Sequence, residues 1–235
     1  MLKISPNQKK HPLKQYALDV ITDNIVQLNL LPGEAINEAE LSEQLEISRT
    51  PIREALLELA NNQLVIVRPR SGTFVNHIDL NLIDQYLYLR LLIESDLVRQ
   101  LCSKMSLEDS NKLHELVAIQ SYYLESKQRF QLVQKDMEFH YNFYKICHKE
   151  TVYHTTQSLM VHFNRLRYLS TFHNEFPARI SEHHALLNAI AANDPAAAAE
   201  ILKKHLYHTY EDFDLAKQIY PHYLTEESRS FIKQS

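Results

Sequence analysis

The sequence predicts a mainly all-α protein with two domains, a winged helix-turn-helix over residues 1–78 and an antiparallel bundle of six or seven helices over residues 79–235. Three observations predict this fold class. The only two glycines, Gly33 and Gly72, lie in the first third of the chain, where turns and a small β-hairpin wing are expected. Beyond Asp79, apolar residues recur at helical spacing without strand patterns. A hydrophobic content of 45% in 235 residues is enough for two cores.

The first domain is expected to consist of three helices and a hairpin. A first helix should end at the Leu31-Pro32-Gly33-Glu34 turn, and the apolar pattern of residues 41–47 predicts a second. Ser48 is a good N-cap residue and Pro51 suits a first turn, so a third helix should begin there. Branched apolar residues on both sides of Gly72 predict the hairpin.

The third helix carries arginines on a face that differs from its apolar face. Arg49 and Arg53 lie four residues apart, at the N-terminal end of the helix. In the major groove of DNA, arginine can bridge guanine O6 and N7 or bind phosphates. The pattern therefore predicts a recognition helix followed by a wing, rather than a three-helix domain without DNA contacts. The predicted DNA-binding residues are Ser48, Arg49, Thr50, Arg53, Arg68, Arg70 and Gly72.

Charge and composition narrow the classes of function. The formal net charge of −4 argues against a protein that coats phosphates along its whole surface. A local positive strip remains on the predicted helix and wing, and Lys9, Lys10 and Lys14 would extend it. We expect weak, salt-sensitive non-specific binding to DNA, with specificity from few base contacts.

The chain has no apolar run long enough to span a bilayer, and its polar start lacks the core of a signal peptide. A soluble, cytoplasmic protein that does not contact membranes is therefore expected. Cys102 and Cys147 lie in apolar helical surroundings without metal-binding spacing, so both are expected to be reduced core thiols.

The second domain is predicted from apolar periodicity and helix punctuation. Pro177 and Pro195 fit helix starts, and Asn193-Asp194-Pro195 is typical of a helix stop and restart. The expected helices cover residues 80–104, 107–126, 128–148, 151–171, 176–193 and 195–217, with a short tail helix around 224–233.

Four polar residues fall on inward faces of these helices. Asp136 and His140 share the apolar face of the third bundle helix, and His183 and His205 lie on the inner rows of the fifth and sixth. A lone buried carboxylate is costly unless its charge is neutralised. Three imidazoles and one carboxylate suit a divalent metal, with zinc the first choice and nickel, manganese or iron as alternatives. The other interpretation is that Asp136 pairs with one core histidine or an arginine.

These motifs resemble a known family over the region from about Gln15 to about Tyr210. The segment LPGEAINEAELSEQLEISRTPIREALLELANNQLVIVRPRSGTFV resembles the winged-helix signature of the GntR transcriptional regulators. The helical part resembles the FCD ligand-sensing domain of their FadR subfamily. The elements that carry this second resemblance are Tyr88-Leu89-Arg90 with Glu94, the D-x-x-F-H pair of Asp136 and His140, Glu182-His183, and Lys204-His205-Leu206.

The resemblance implies a homodimeric regulator that binds a palindromic operator on double-stranded DNA. It also implies that a metal at Asp136, His140, His183 and His205 helps to hold a small carboxylate effector. A cationic side chain could grip a second acidic group of that effector, although each candidate could equally form an interhelical ion pair. The candidates are Arg90, Arg165 and Arg167.

Two other functions compete with an effector-responsive regulator. In a metal-responsive regulator the ion itself would be the signal. An enzyme is the third class, because such a site can activate water. The sequence contains no nucleophile-base arrangement, glycine-rich phosphate loop or paired acid-base motif, so we expect no enzymatic activity.

Overall fold

The computed structural model describes residues 2–4, 12–173 and 177–232. The first elements in chain order are α1 (Leu13–Val26), β1 (Ala35–Ile36), α2 (Glu38–Leu45), α3 (Arg49–Asn61), β2 (Val65–Arg68) and β3 (Gly72–Val75). The elements that follow are α4 (Leu80–Lys104), α5 (Leu107–Glu125), α6 (Arg129–Ile146), α7 (Glu150–Thr155), α8 (Gln157–Ser170), α9 (Pro177–Ala191), α10 (Pro195–Tyr207), α11 (Thr209–Ile219), a 3-10 helix (Pro221–Tyr223) and α12 (Glu226–Arg229).

The mainly helical architecture with a small β-wing is confirmed, but two predicted helices are each divided. The helix expected over 151–171 is interrupted at Thr156, and the one over 195–217 at His208. Neither site has the glycine or proline that usually marks a break. His208 Nε2 lies 3.0 Å from Glu182 Oε1 on α9, so the second break coincides with a contact between helices. Local sequence carries no signal for such a contact.

The predicted DNA-binding domain is built around α3. Its apolar face is fully buried, and both α1 and α2 pack against it. Ser48 occupies the N-cap position, as predicted, but its side chain forms no capping hydrogen bond. A reason is Pro51, the third residue of the helix, because an N-cap side chain usually accepts from the second or third N–H and proline has none.

The wing hairpin is present and is joined by a strand that was not predicted. The sheet has the antiparallel order β1-β3-β2. Arg68 pairs with Gly72 across the hairpin, and Gly72 has a φ of +109°, a conformation that favours glycine. Strand β1 has only two residues, which is too short to produce a recognisable alternation in the sequence.

The chain separates into two compact units, and the tail belongs with the first. Unit one contains Met1–Leu80 and Lys217–Ile232, whereas unit two contains Asn81–Ala216. Within unit one, Ile78 N donates to Tyr223 O at 2.8 Å and Thr225 N donates to Ile78 O at 3.0 Å. The predicted boundary between residues 78 and 79 placed the tail in the second domain, whereas the structure groups it with the first unit. The pairing of Ile78 with the tail joins residues far apart in sequence, so it leaves no local pattern.

In unit two, α5 packs against α6 and α9, and α9 packs against α10. This arrangement brings the inner faces of α6, α9 and α10 into one core. Cys147 is buried, Cys102 is half-buried, and neither forms a disulfide. Within the described part of the chain, we find no helix with the length and apolar character needed to cross a membrane.

Candidate functional site

The four predicted metal ligands come together inside unit two. Asp136 and His140 lie one turn apart on α6, and both face His183 of α9 and His205 of α10. All four are buried, and one ligand atom from each lies within 4.8 Å of the others. Ligand atoms around a tetrahedral zinc ion, bound at about 2.1 Å, are separated by about 3.4 Å. The cluster is therefore close to the size that a metal site requires.

Individual distances place His183 at the centre of the cluster. Its Nε2 lies 3.2 Å from His205 Nε2 and 3.6 Å from Asp136 Oδ1. His140 Nε2 lies 3.8 Å from Asp136 Oδ2. The converging atoms are thus imidazole nitrogens and carboxylate oxygens, the donors that zinc and other transition metals accept.

The electrostatic environment favours neutral imidazoles at His183 and His205 beside an ionised Asp136. Burial lowers the pKa of His183 well below its usual value and that of His205 to about 4, and the neighbouring imidazoles add to both effects. Burial opposes ionisation of Asp136, but the Arg167 guanidinium holds its pKa well below the usual range. These are the protonation states that metal ligands require.

The alternative partner for Asp136 is also present. Arg167 Nη1 lies 2.7 Å from Asp136 Oδ2 and neutralises the carboxylate. The alignment of this contact is poor, because Oδ2 has no partner that meets hydrogen-bond geometry. His140 Nε2 is likewise buried without such a partner. An ion pair and a metal are therefore compatible, and these two unsatisfied atoms fit a bound cation.

The buried histidines should make the stability of the metal-stripped protein depend on pH. An unfolded chain binds protons at histidine below about pH 6.5, whereas folded His205 does not until about pH 4. The free energy of unfolding should therefore fall as the pH drops through this window, by roughly 2 kcal/mol between about pH 7 and pH 5 from His205 alone. Urea unfolding at pH 7, 6 and 5 measures this, with His205→Gln as the comparison. If the free energy of unfolding depended on pH equally in both proteins, His205 would not be the source of this pH dependence.

A small cavity adjoins the tetrad formed by Asp136, His140, His183 and His205. Its lining includes Arg90, His140, Asn164 and Arg167. The cavity volume is about 10 Å³, room for roughly one water molecule. Because His140 belongs both to this lining and to the tetrad, a molecule in the cavity would lie beside the tetrad.

The three predicted effector arginines are not equivalent. Arg90 and Arg167 line the cavity, and both stack on Phe163, at 5.1 and 5.6 Å from the ring centre. Arg90 also pairs with Glu94 at 2.7 Å. Arg165 is fully buried but does not line this cavity. Burial lowers the pKa of Arg165 to about 9, which leaves its guanidinium charged at neutral pH.

The predicted DNA-binding residues all lie on exposed parts of unit one. Arg49 is the first residue of α3. Arg53 forms an ion pair with Glu38 of α2, and its Nε lies 2.7 Å from Glu38 Oε2. The sequence did not predict this ion pair. In the wing, Arg68 stacks on Phe74 at 5.0 Å. All seven predicted residues are exposed, namely Ser48, Arg49, Thr50, Arg53, Arg68, Arg70 and Gly72.

Of the three lysines predicted to extend this strip, Lys14 belongs to the described residues. Lys14 lies 2.6 Å from Glu58, so its charge is partly neutralised by a residue of α3. Lys9 and Lys10 lie outside the described residues. Among the described residues, the predicted DNA-binding strip therefore rests on the arginines of α3 and the wing.

Comparison with known proteins now identifies both units. Residues 13–75 match the family described as bacterial regulatory proteins, gntR family, and residues 85–208 match the FCD domain. The chain belongs to the GntR family, with an FCD domain. This GntR-family chain is 26% identical over 226 residues to the HTH-type transcriptional repressor RspR of Escherichia coli K12, covering 96% of this chain and 98% of the relative.

Solved structures agree with the fold of this GntR-family regulator. The structure of E. coli McbR/YncC has a TM-score of 0.75 at 21% identity and covers 88% of this chain and 99% of its own. A putative GntR regulator from Rhodococcus sp. RHA1 has a TM-score of 0.73 at 17% identity and covers 86% and 97%. The family matches and the full-length similarity to RspR identify a transcriptional regulator with a DNA-binding domain and an FCD ligand-binding domain, rather than an enzyme.

Proposed function

We propose that this regulator changes its affinity for an operator when a small carboxylate effector binds at a divalent metal in the FCD domain. The observation that carries the proposal is the buried tetrad of Asp136, His140, His183 and His205, whose ligand atoms lie within 4.8 Å of one another beside a cavity that contains two arginines. Zinc is the first choice of metal, because the donor set is three imidazoles and one carboxylate.

The chain's own residues supply distinct parts of this site. When bound, the metal would supply open coordination positions that carboxylate oxygens can occupy. Arg90 and Arg167 would bind a second acidic group through their planar guanidinium forks. Phe163 lies beneath both guanidinium groups and would keep them oriented.

Effector binding would have to change the shape of the FCD domain. Ligand pockets usually have volumes of about 300–1,000 Å³, whereas this cavity measures about 10 Å³. An organic acid could enter only if lining side chains moved. A ligand that favours the open arrangement shifts the population of the protein toward it, and operator affinity changes to the extent that the two arrangements differ.

We infer that the DNA-bound form is a homodimer on a palindromic operator. One winged-helix domain offers few arginines for base contacts, and two such domains on half-sites about one helical turn apart would supply the specificity that one lacks. An FCD domain behind a GntR domain also fits the FadR-type arrangement.

A second candidate function is regulation by the metal ion itself. The small cavity favours this alternative, because the tetrad can hold an ion without any opening of the lining. In that case zinc alone would change operator affinity.

Fluorescence anisotropy can separate these functions. Metal-stripped protein would be titrated onto a DNA site selected from a random pool, without additions, with zinc, and with zinc plus acetate, lactate, malate or citrate. We expect an acid together with zinc to change the affinity by about 5–150-fold, the usual range of allosteric coupling. The same change with zinc alone would establish the alternative function. No change under any condition would refute both.

A further inference from the structure

Behind each histidine of the tetrad lies a buried polar side chain that sequence reasoning did not place in the site. These side chains are Glu94 of α4, Gln120 of α5 and Glu182 of α9. We propose that they are positioning residues, which hold the three imidazoles with Nε2 toward the metal. The inference rests on the proposed metal site and adds to it the residues that determine ligand orientation.

Each of these side chains contacts Nδ1 of one histidine, the ring nitrogen that faces away from the tetrad, through an acceptor oxygen. His140 Nδ1 lies 2.8 Å from Glu94 Oε2. His183 Nδ1 lies 2.8 Å from Gln120 Oε1. The same arrangement therefore occurs twice at hydrogen-bond distance, on histidines from different helices.

The third contact is longer and is shared. His205 Nδ1 lies 3.3 Å from Glu182 Oε2, while the other oxygen of Glu182 lies 3.0 Å from His208 Nε2. Glu182 thus supports His205 and the junction between α10 and α11 at once.

These partners determine which nitrogen of each ring carries the proton. An ionised carboxylate can only accept hydrogen bonds, so Nδ1 must be the donor wherever it faces Glu94 or Glu182. In the neutral ring the lone pair then resides on Nε2, the atom that points into the tetrad. A metal needs that lone pair.

Gln120 differs from the two glutamates, because an amide can donate as well as accept. Its Nε2 donates to Lys135 O at 3.1 Å, and this bond leaves Oε1 as the group that faces His183. The Lys135 carbonyl therefore determines the orientation of the Gln120 amide, and the amide oxygen determines that Nδ1 of His183 carries the proton. Gln120 is also fully buried, so water does not compete for either bond.

Variants of Gln120 provide the sharpest test, with zinc affinity measured on the metal-stripped full-length chain by competition with a chromophoric chelator. Gln120→Leu removes the acceptor and should weaken zinc binding about 10–100-fold, the usual effect of losing a partner of a metal-bound histidine. Gln120→Glu keeps an acceptor and should remain within about fivefold of wild type. Ser121→Ala is the matched control, since the hydroxyl of this neighbour donates to Val117 O of its own helix.

The visible absorption spectrum of bound Co²⁺ gives a second readout, because it reports the geometry of the ligands. We expect a changed spectrum for Gln120→Leu and a wild-type spectrum for Ser121→Ala. Glu94→Gln should also weaken zinc binding by about 10-fold or more, because Arg90 Nε requires the one remaining oxygen and the amide nitrogen would then face His140 Nδ1. This second variant tests the proposal even if Gln120→Leu fails to fold.

The outcomes separate this inference from the proposed function. If Gln120→Leu and Glu94→Gln bind zinc like wild type while His183→Ala does not, the positioning role is refuted and the metal site stands. Equal weakening by Gln120→Leu and Gln120→Glu would assign Gln120 to packing and also refute the positioning role. If wild type binds neither zinc nor Co²⁺, the proposed metal site fails together with the inference.

Discussion

Replacing His183 by alanine is expected to weaken zinc binding by more than about 100-fold, beyond the 10–100-fold typical for a residue that only supports a ligand. His183 lies at the centre of the tetrad, with its Nε2 3.2 Å from His205 and 3.6 Å from Asp136. The substitution removes one of four donors. Zinc content after purification and affinity by chelator competition both measure the loss. His205→Ala should have a similar effect.

The chain offers a matched control in the adjacent histidine. His184 is exposed on the same helix, so His184→Ala removes an imidazole without touching the tetrad. Its zinc affinity should equal that of wild type. A zinc content that neither His183→Ala nor His205→Ala lowers would eliminate these residues as ligands.

Replacing Arg49 by alanine is expected to weaken operator binding by about 1–3 kcal/mol, which corresponds to about 5–150-fold, and to relax the sequence preference at one position. Arg49 is exposed at the N-terminal end of α3, where a recognition helix contacts base edges. Affinities for the selected site and for single-base variants of that site measure both effects.

Charge alone can be excluded as the cause with Arg99→Ala. Arg99 is exposed on α4 in unit two, so this variant loses the same charge outside the interface and should bind the operator like wild type. The salt dependence then distinguishes two types of contact. If Arg49→Ala weakens binding to all sequences equally and lowers the salt slope by about 1, Arg49 contacts a phosphate rather than a base. Unchanged affinity would remove Arg49 from the interface.

Apolar periodicity was enough to predict much of the fold. The bounds expected for the first bundle helix, 80–104, agree with those of α4, because one continuous buried stripe extends along its whole length. The wing was recognisable for a similar reason, since Gly72 requires a turn and branched residues flank it. Elements that depend on distant partners were not predictable in this way. The division at His208 and the pairing of Ile78 with the tail both arise from contacts between residues far apart in sequence.

The candidate site shows the same limit. Periodicity alone selected Asp136, His140, His183 and His205, because each lies in the apolar row of its own helix, and the structure brings all four together. It did not distinguish Arg167, which pairs with Asp136, from Arg165, which does not line the cavity. It also missed Gln120 behind His183 and Glu38 beside Arg53.

The sequence by itself determined which residues of this regulator face inward and which arginines face outward. In a helix, residues three and four positions apart lie on the same face, so the spacing of apolar residues identifies the buried side. Only the tertiary structure decided which inward residues meet. The distance between atoms on α6, α9 and α10 depends on how those helices pack, and packing joins positions that no local repeat connects.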